Sequence, residues 1–225
     1  MIILAIVIVL GIIVLPQALV RMAISRHGVE RPDLQGTGGE LARHLLDRFD
    51  LENVAVETTE SGDHYDPESR TVRLLPAHHD GRSIAAVAIA AHEVGHAIQH
   101  GRRERMLALR QRLATVATFS DKAAGIFFMA APVLGVLART PLAFAALIAV
   151  GIGLLSVRVI FTLVTLPVEI DASYGKALPI LREGGYLHEN DMPAAKSVLR
   201  AAAFTYLAAA LITLVNLARW IRLLR

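Results

Sequence analysis

His92, Glu93 and His96 form an H-E-x-x-H pattern in this 225-residue chain, and residues of those types at that spacing can do metal-assisted hydrolysis. On an α-helix, residues four apart rise about 6 Å and share one face. Two neutral imidazoles so placed can converge on one Zn²⁺, with the Glu93 carboxylate between them set to act as general base on a water that the metal activates. The flanks agree. Glu93 is the one charged residue from Ile84 to Ile98, as a helix passing through a protein core requires. The bland alternative is a buried helix with two hydrogen-bonded histidines.

Two histidines leave a catalytic zinc one protein ligand short of the usual three. The chain has no cysteine, so a histidine or a carboxylate must supply it. His100 shares the face but lies about 12 Å from His92 along the helix, too far to join the same ion. Glu169 is the better candidate, in Pro167-Val-Glu-Ile-Asp-Ala-Ser173, where a carboxylate appears as an apolar run ends. Asp171 is its rival, projecting from a different face of the same helix.

These residues need elements to position them. The chain is 54% hydrophobic and 19% charged, with a mean hydropathy of +0.50, which is the composition of a membrane protein. The expected fold class is an α+β membrane protein: about four transmembrane helices around a small zincin-like metalloprotease domain. Residues 1–20 form an N-terminal transmembrane anchor, read as retained because its apolar run Ile2 to Val20 has no positive leader and no convincing cleavage site. Residues 21–115 form the catalytic domain, with the H-E-x-x-H helix at 83–100. Residues 116–168 hold two spans, Ala123 to Ala138 extended back through Val116, and Leu142 to Val168 interrupted by Arg158. Residues 169–200 form a helical segment carrying the third ligand, and 201–225 hold a last span, Ala201 to Trp220.

Within the catalytic domain, Thr37-Gly-Gly-Glu40 is a capping-box pattern opening a helix through about Phe49. Val54 to Thr59 reads as a strand, Asp63 to Arg70 as turn chemistry, and Thr71 to Leu75 as a second strand closing a hairpin. Ser83 caps the metal helix, which ends near Gly101. Pro167 to Arg182 reads as a helix ending at Gly184-Gly185, with a new helix from about Asp191.

The chain resembles the YugP-type neutral zinc metallopeptidases of bacterial membranes. The resemblance rests on DHYDPESRTVRL at Asp63–Leu74, SIAAVAIAAHEVGHAIQH at Ser83–His100, TLPVEIDAS at Thr165–Ser173, and ALPILREGGYL followed by AAKSVLRAAAFTYLAAAL. The E-x-x-A pattern is also similar to that of HtpX-type gluzincins, whose glutamate is the third zinc ligand. The resemblance implies that Glu169 is that ligand and Ala172 the alanine. Where the gluzincin pattern has aspartate this chain has Ser173, leaving Asp171 or another group as the alternative partner for a ligand imidazole.

Two spans between His96 and Glu169 return the chain to the side it left, as one ion with ligands from both requires. No Lys or Arg precedes the first span, whereas Arg21, Arg26 and Arg31 follow it and Arg102, Arg103, Arg105, Arg110 and Arg112 precede the second. Positive charge favours the cytoplasmic side. The expectation is a multi-pass protein of the bacterial cytoplasmic membrane with its metal domain facing the cytoplasm, although Arg219, Arg222 and Arg225 pull the other way.

The expected function is zinc-dependent peptide-bond hydrolysis on protein or peptide substrates at or near the membrane. The partners are substrate and the lipid bilayer, not nucleic acid, because the net charge of +3 clusters beside apolar segments. His64, Tyr65, Tyr174 and His188 are candidate donors to the oxyanion. His78 and His79 read as solvated, Gly95 as a packing glycine or one that lets another backbone approach the metal, and Arg158 as a buried structural pair with an acidic partner. The alternative is a zinc-stabilised membrane scaffold whose site is closed by a fourth protein ligand such as His64 or Asp171.

Overall fold

The computed structural model describes residue 15 and residues 18–201, so the expected first and fourth spans lie almost wholly outside the described residues. A helix over 18–27, α1, leads into the domain. Helix α2, Gly38–Arg48, opens with the expected capping box: Thr37 Oγ1 accepts from the Glu40 amide, and the Glu40 carboxylate accepts from the Thr37 amide. Its Leu41, Leu45 and Leu46 are buried, and α2 packs on the metal helix.

Three short strands follow: β1 Ala55–Thr58, β2 His64–Asp66 and β3 Thr71–Leu74, in the order β1-β3-β2. The hairpin is real, but its members differ from the expectation. Strand β1 pairs with β3 in parallel, and the antiparallel partner of β3 is β2, which lies inside the segment read as a turn. A strand of only three residues leaves too little alternation for a pattern to reveal it.

After a one-turn helix, α3 Pro76–His79, comes the metal helix α4, Ile84–Gly101. Ser83 Oγ caps it by accepting from the Ala86 amide at 3.1 Å. From Ile84 to Gln99 every residue but Ile89 is buried. A helix apolar on all sides belongs in a core, and α4 is enclosed by α2, α3, the sheet and the segment after the long hairpin.

That hairpin consists of α5, Arg105–Leu137, and α6, Pro141–Ile170. Contacts between them pair Arg110 with Glu169, Asp121 with Arg158 and Phe127 with Gly151, so one residue number rises as the other falls and the helices are antiparallel. Among the described residues, two helices are long and apolar enough to cross a membrane: Arg105–Ala131, and the continuous helical stretch Pro141–Glu183. Arg158 does find its acidic partner, Asp121, at 2.9 Å, but both side chains are about half exposed, not buried.

The chain stays helical past Ile170. It widens to a π-helical turn over Asp171–Ala177 and resumes as α7, Leu178–Glu183. Such π segments are rare and concentrate at functional sites. Gly185, at φ +66°, takes the left-handed conformation that stops the helix where the sequence placed its end. A last described helix, α8, covers 192–201.

Candidate metal centre

His92 and His96 project from consecutive turns of α4, 9% and 5% exposed, with their rings 4.7 Å apart between centroids. Glu169, 2% exposed, comes from the last turn of α6. Its Oε2 lies 3.3 Å from His92 Nε2 and 3.4 Å from His96 Nε2. Tetrahedral ligands about 2.0–2.1 Å from a zinc ion stand about 3.3 Å from one another. The two carboxylate–imidazole separations therefore match two edges of that polyhedron, and one ligand atom from each residue falls within 4.8 Å of the others. Glu169 Oε1 is buried without a hydrogen bond of ordinary geometry, although Arg110 Nη2 stands 3.0 Å away.

The far side of each imidazole is tied down. His96 Nδ1 lies 2.9 Å from Gln99 Oε1. Gln99 Nε2 donates to Val168 O at 3.0 Å and to Asp171 Oδ2 at 2.8 Å, and those two acceptors fix which end of the amide is which. His96 must then donate from Nδ1, which leaves a lone pair on Nε2 facing Glu169. Ser173 Oγ lies 3.0 Å from His92 Nδ1, and a hydroxyl that accepts there would leave Nε2 of this ring unprotonated too. Outer partners of this kind orient metal-binding histidines.

Gly95 explains how α4 and the π turn come so close. A Cβ built there would sit 2.9 Å from the Ala172 carbonyl oxygen, so a side chain would push the two elements apart. This is the packing role expected of it, and it sets the spacing between the histidines and Ser173.

The model of a family described as "Putative neutral zinc metallopeptidase" matches residues 1–225. The chain belongs to that family. It is 42% identical over 187 residues, covering 82% of this chain and 79% of the relative, to a Bacillus subtilis (strain 168) protein described as "Putative membrane protease YugP". No solved structure matches.

In this family member Glu93 is 7% exposed, and burial pushes its carboxyl up to about 7. The Tyr65 backbone N–H donates to it. Amides of an antiparallel strand point alternately to the partner strand and to the outer edge, so Glu93 borders the edge of β2 that no strand occupies among the described residues. The side chains of the other expected residues have partners of their own. The Tyr65 hydroxyl is 2.8 Å from His100 Nδ1, and His64 Nδ1 is 2.8 Å from Gly62 O. Tyr174 is half-buried in the π turn, and exposed His188 stands near Asp33. Asp171 faces away from the three ligand candidates, held by Gln99 and by Lys176, whose Nζ also meets Glu104 Oε1 at 3.0 Å. His78 is a correction: it is 6% exposed, not solvated, with Nδ1 2.8 Å from Asp63 Oδ2.

Two residues at the site were not singled out from the sequence. Gln99 carried a signal, as a polar side chain one turn beyond His96 on an otherwise apolar helix. Arg110 carried none, since it sits in a run of arginines that reads as a headgroup anchor.

Proposed function

We propose that this chain is a membrane-anchored zinc endopeptidase in which His92, His96 and Glu169 hold the ion and Glu93 is the general base. The observation that carries this is the approach of Glu169 Oε2, from a helix distant in sequence, to within 3.4 Å of both imidazole Nε2 atoms. The donor set of two imidazoles and one carboxylate is that of a catalytic zinc site with a position left for solvent. A structural site would need a fourth protein ligand, and neither His64 nor Asp171 joins the group among the described residues.

Zinc at this place would acidify the attacking water toward a pKa of about 7 and polarise the scissile carbonyl. Glu93 takes the proton of that water and returns it to the departing amine. A carboxyl raised by burial is a stronger base than one in water, so its environment suits the task. An extended peptide pairing with the free edge of β2 would lie across Glu93, its backbone bonded to the strand.

Substrates are proteins or peptides at the membrane surface. The uncharged stretches Ala123–Ala138 and Pro141–Val157 are each about 25 Å of helix, close to the roughly 30 Å hydrocarbon core. The Asp121–Arg158 pair bounds that band, and Arg110 and Glu169 lie about 16 Å further along the same helices. On this reading the metal centre lies outside the hydrocarbon, on the side carrying Arg102, Arg103, Arg105, Arg110 and Arg112, and that concentration of arginine favours the cytoplasmic face.

The test is Glu93→Gln in detergent-purified protein, assayed on an unfolded protein substrate. Zinc stays bound and cleavage disappears if Glu93 is the base; undiminished cleavage removes it from the mechanism.

A further inference from the structure

A carboxylate can hold a metal through one oxygen or through both, and the choice matters here. Binding by both oxygens occupies one more position on the ion, the position a catalytic site keeps for solvent. The two oxygens of Glu169 have different surroundings. Oε2 faces both imidazoles at 3.3 and 3.4 Å, whereas Oε1 turns to Arg110 Nη2 at 3.0 Å. Oε1 is otherwise buried without a hydrogen bond, so the guanidinium is the group compensating its charge. Of the arginines from Arg102 to Arg112, Arg110 alone pairs with Glu169 among the described residues, and Glu169 is its one ionic partner there. Its side chain is 27% exposed and hangs from α5, the antiparallel neighbour of the helix that carries Glu169.

We propose that Arg110 is a positioning residue: by engaging Oε1 it confines Glu169 to ligation through Oε2 alone. Arginine suits this role because it stays charged at any working pH and presents donors in a rigid plane. Turning Oε1 toward the metal would break the Arg110 contact and leave that charge unpaired in a partly buried place. The inference rests on the zinc reading above and adds to it the reason the fourth position stays open.

The experiment uses full-length protein in detergent, stripped of metal by a chelator and reloaded with one equivalent of Co²⁺. The visible absorption of Co²⁺ is strong in four-coordinate sites and weakens as coordination rises. Arg110→Met is expected to weaken those bands and to lower metal affinity, measured by chelator competition, by about tenfold to a hundredfold. Arg110→Lys, which keeps the charge, should recover part of both. Circular dichroism confirms folding, and Arg110→Gln is read in the same way should the methionine variant not fold. A wild-type spectrum and affinity in the uncharged variant overturns the proposal while leaving the zinc site intact. Failure of the unaltered protein to take up cobalt removes the zinc reading and this proposal together.

Discussion

Ser173 Oγ lies 3.0 Å from His92 Nδ1, joining a π-helical turn to the metal helix across eighty-one positions of sequence. Ser173 is fully buried, and the contact holds the imidazole with its Nε2 facing Glu169. Ser173→Ala should therefore lower zinc affinity by about tenfold or more while leaving the helical content unchanged. Competition against a calibrated chelator checks this, and an unchanged affinity would mean that packing alone orients the ring.

Gln99 does for His96 what Ser173 does for His92, with added structural weight. Gln99→Ala strips a partner from His96 Nδ1 and from the Val168 carbonyl, both in the interior. The Val168 carbonyl keeps the Asp171 amide, so one buried group is left unpaired, and the loss should be about 1–3 kcal/mol in thermal or denaturant unfolding. A loss below about 1 kcal/mol would show that water replaces the amide.

Much of this site was legible in the sequence, for local reasons. His92, Glu93 and His96 declare themselves because helical spacing fixes their relative positions before any tertiary contact forms. Glu169 stands out as the first carboxylate after an apolar run. Gln99 and Arg110 were missed because their roles depend on what α4 and α5 meet in space. The parallel pairing of β1 with β3 was missed for a similar reason: register between strands separated by β2 is a tertiary property. The widening of the helix at Asp171–Ala177, which lets Ser173 and Lys176 face opposite partners, has no pattern of its own in DASYGKA.

Gly95→Ala should separate α4 from the π turn. The added methyl would stand 2.9 Å from the Ala172 carbonyl oxygen, which is backbone and yields little. Overpacking of this kind costs about 1–3 kcal/mol, and zinc affinity should fall with it because Ser173 moves away from His92. Unchanged melting temperature and zinc affinity would contradict the close approach.

Glu93 predicts a pH dependence in metal-free protein. Burial raises its carboxyl to about 7 from an ordinary value of 4.5, so between those values the folded state holds a proton that the unfolded state releases. Stability then falls as pH rises through this window, and the loss is complete above about 7. Glu93→Gln cannot ionise, so its stability advantage over the wild type should grow from pH 4.5 to 7. A constant difference across the window would place Glu93 in contact with water.

The absence of cysteine makes topology accessible to single-cysteine labelling in intact membranes. Arg103→Cys, beside the metal domain, should react with an impermeant maleimide from the cytoplasmic face. Arg139→Cys, at the hairpin tip between α5 and α6, should react from the opposite face. Met129→Cys, exposed on the protein but within the uncharged band, should be shielded by lipid. Labelling of Arg103→Cys and Arg139→Cys from one face would mean that the hairpin does not cross.

The most direct test of the central claim is the zinc content per chain of purified wild type, Glu93→Gln and Glu169→Gln, measured by atomic emission after identical dialysis. Sharing of one ion by His92, His96 and Glu169 predicts one zinc per chain in the first two proteins and nearly none in the third. One zinc retained by folded Glu169→Gln would contradict it, because the carboxylate would then not be a ligand.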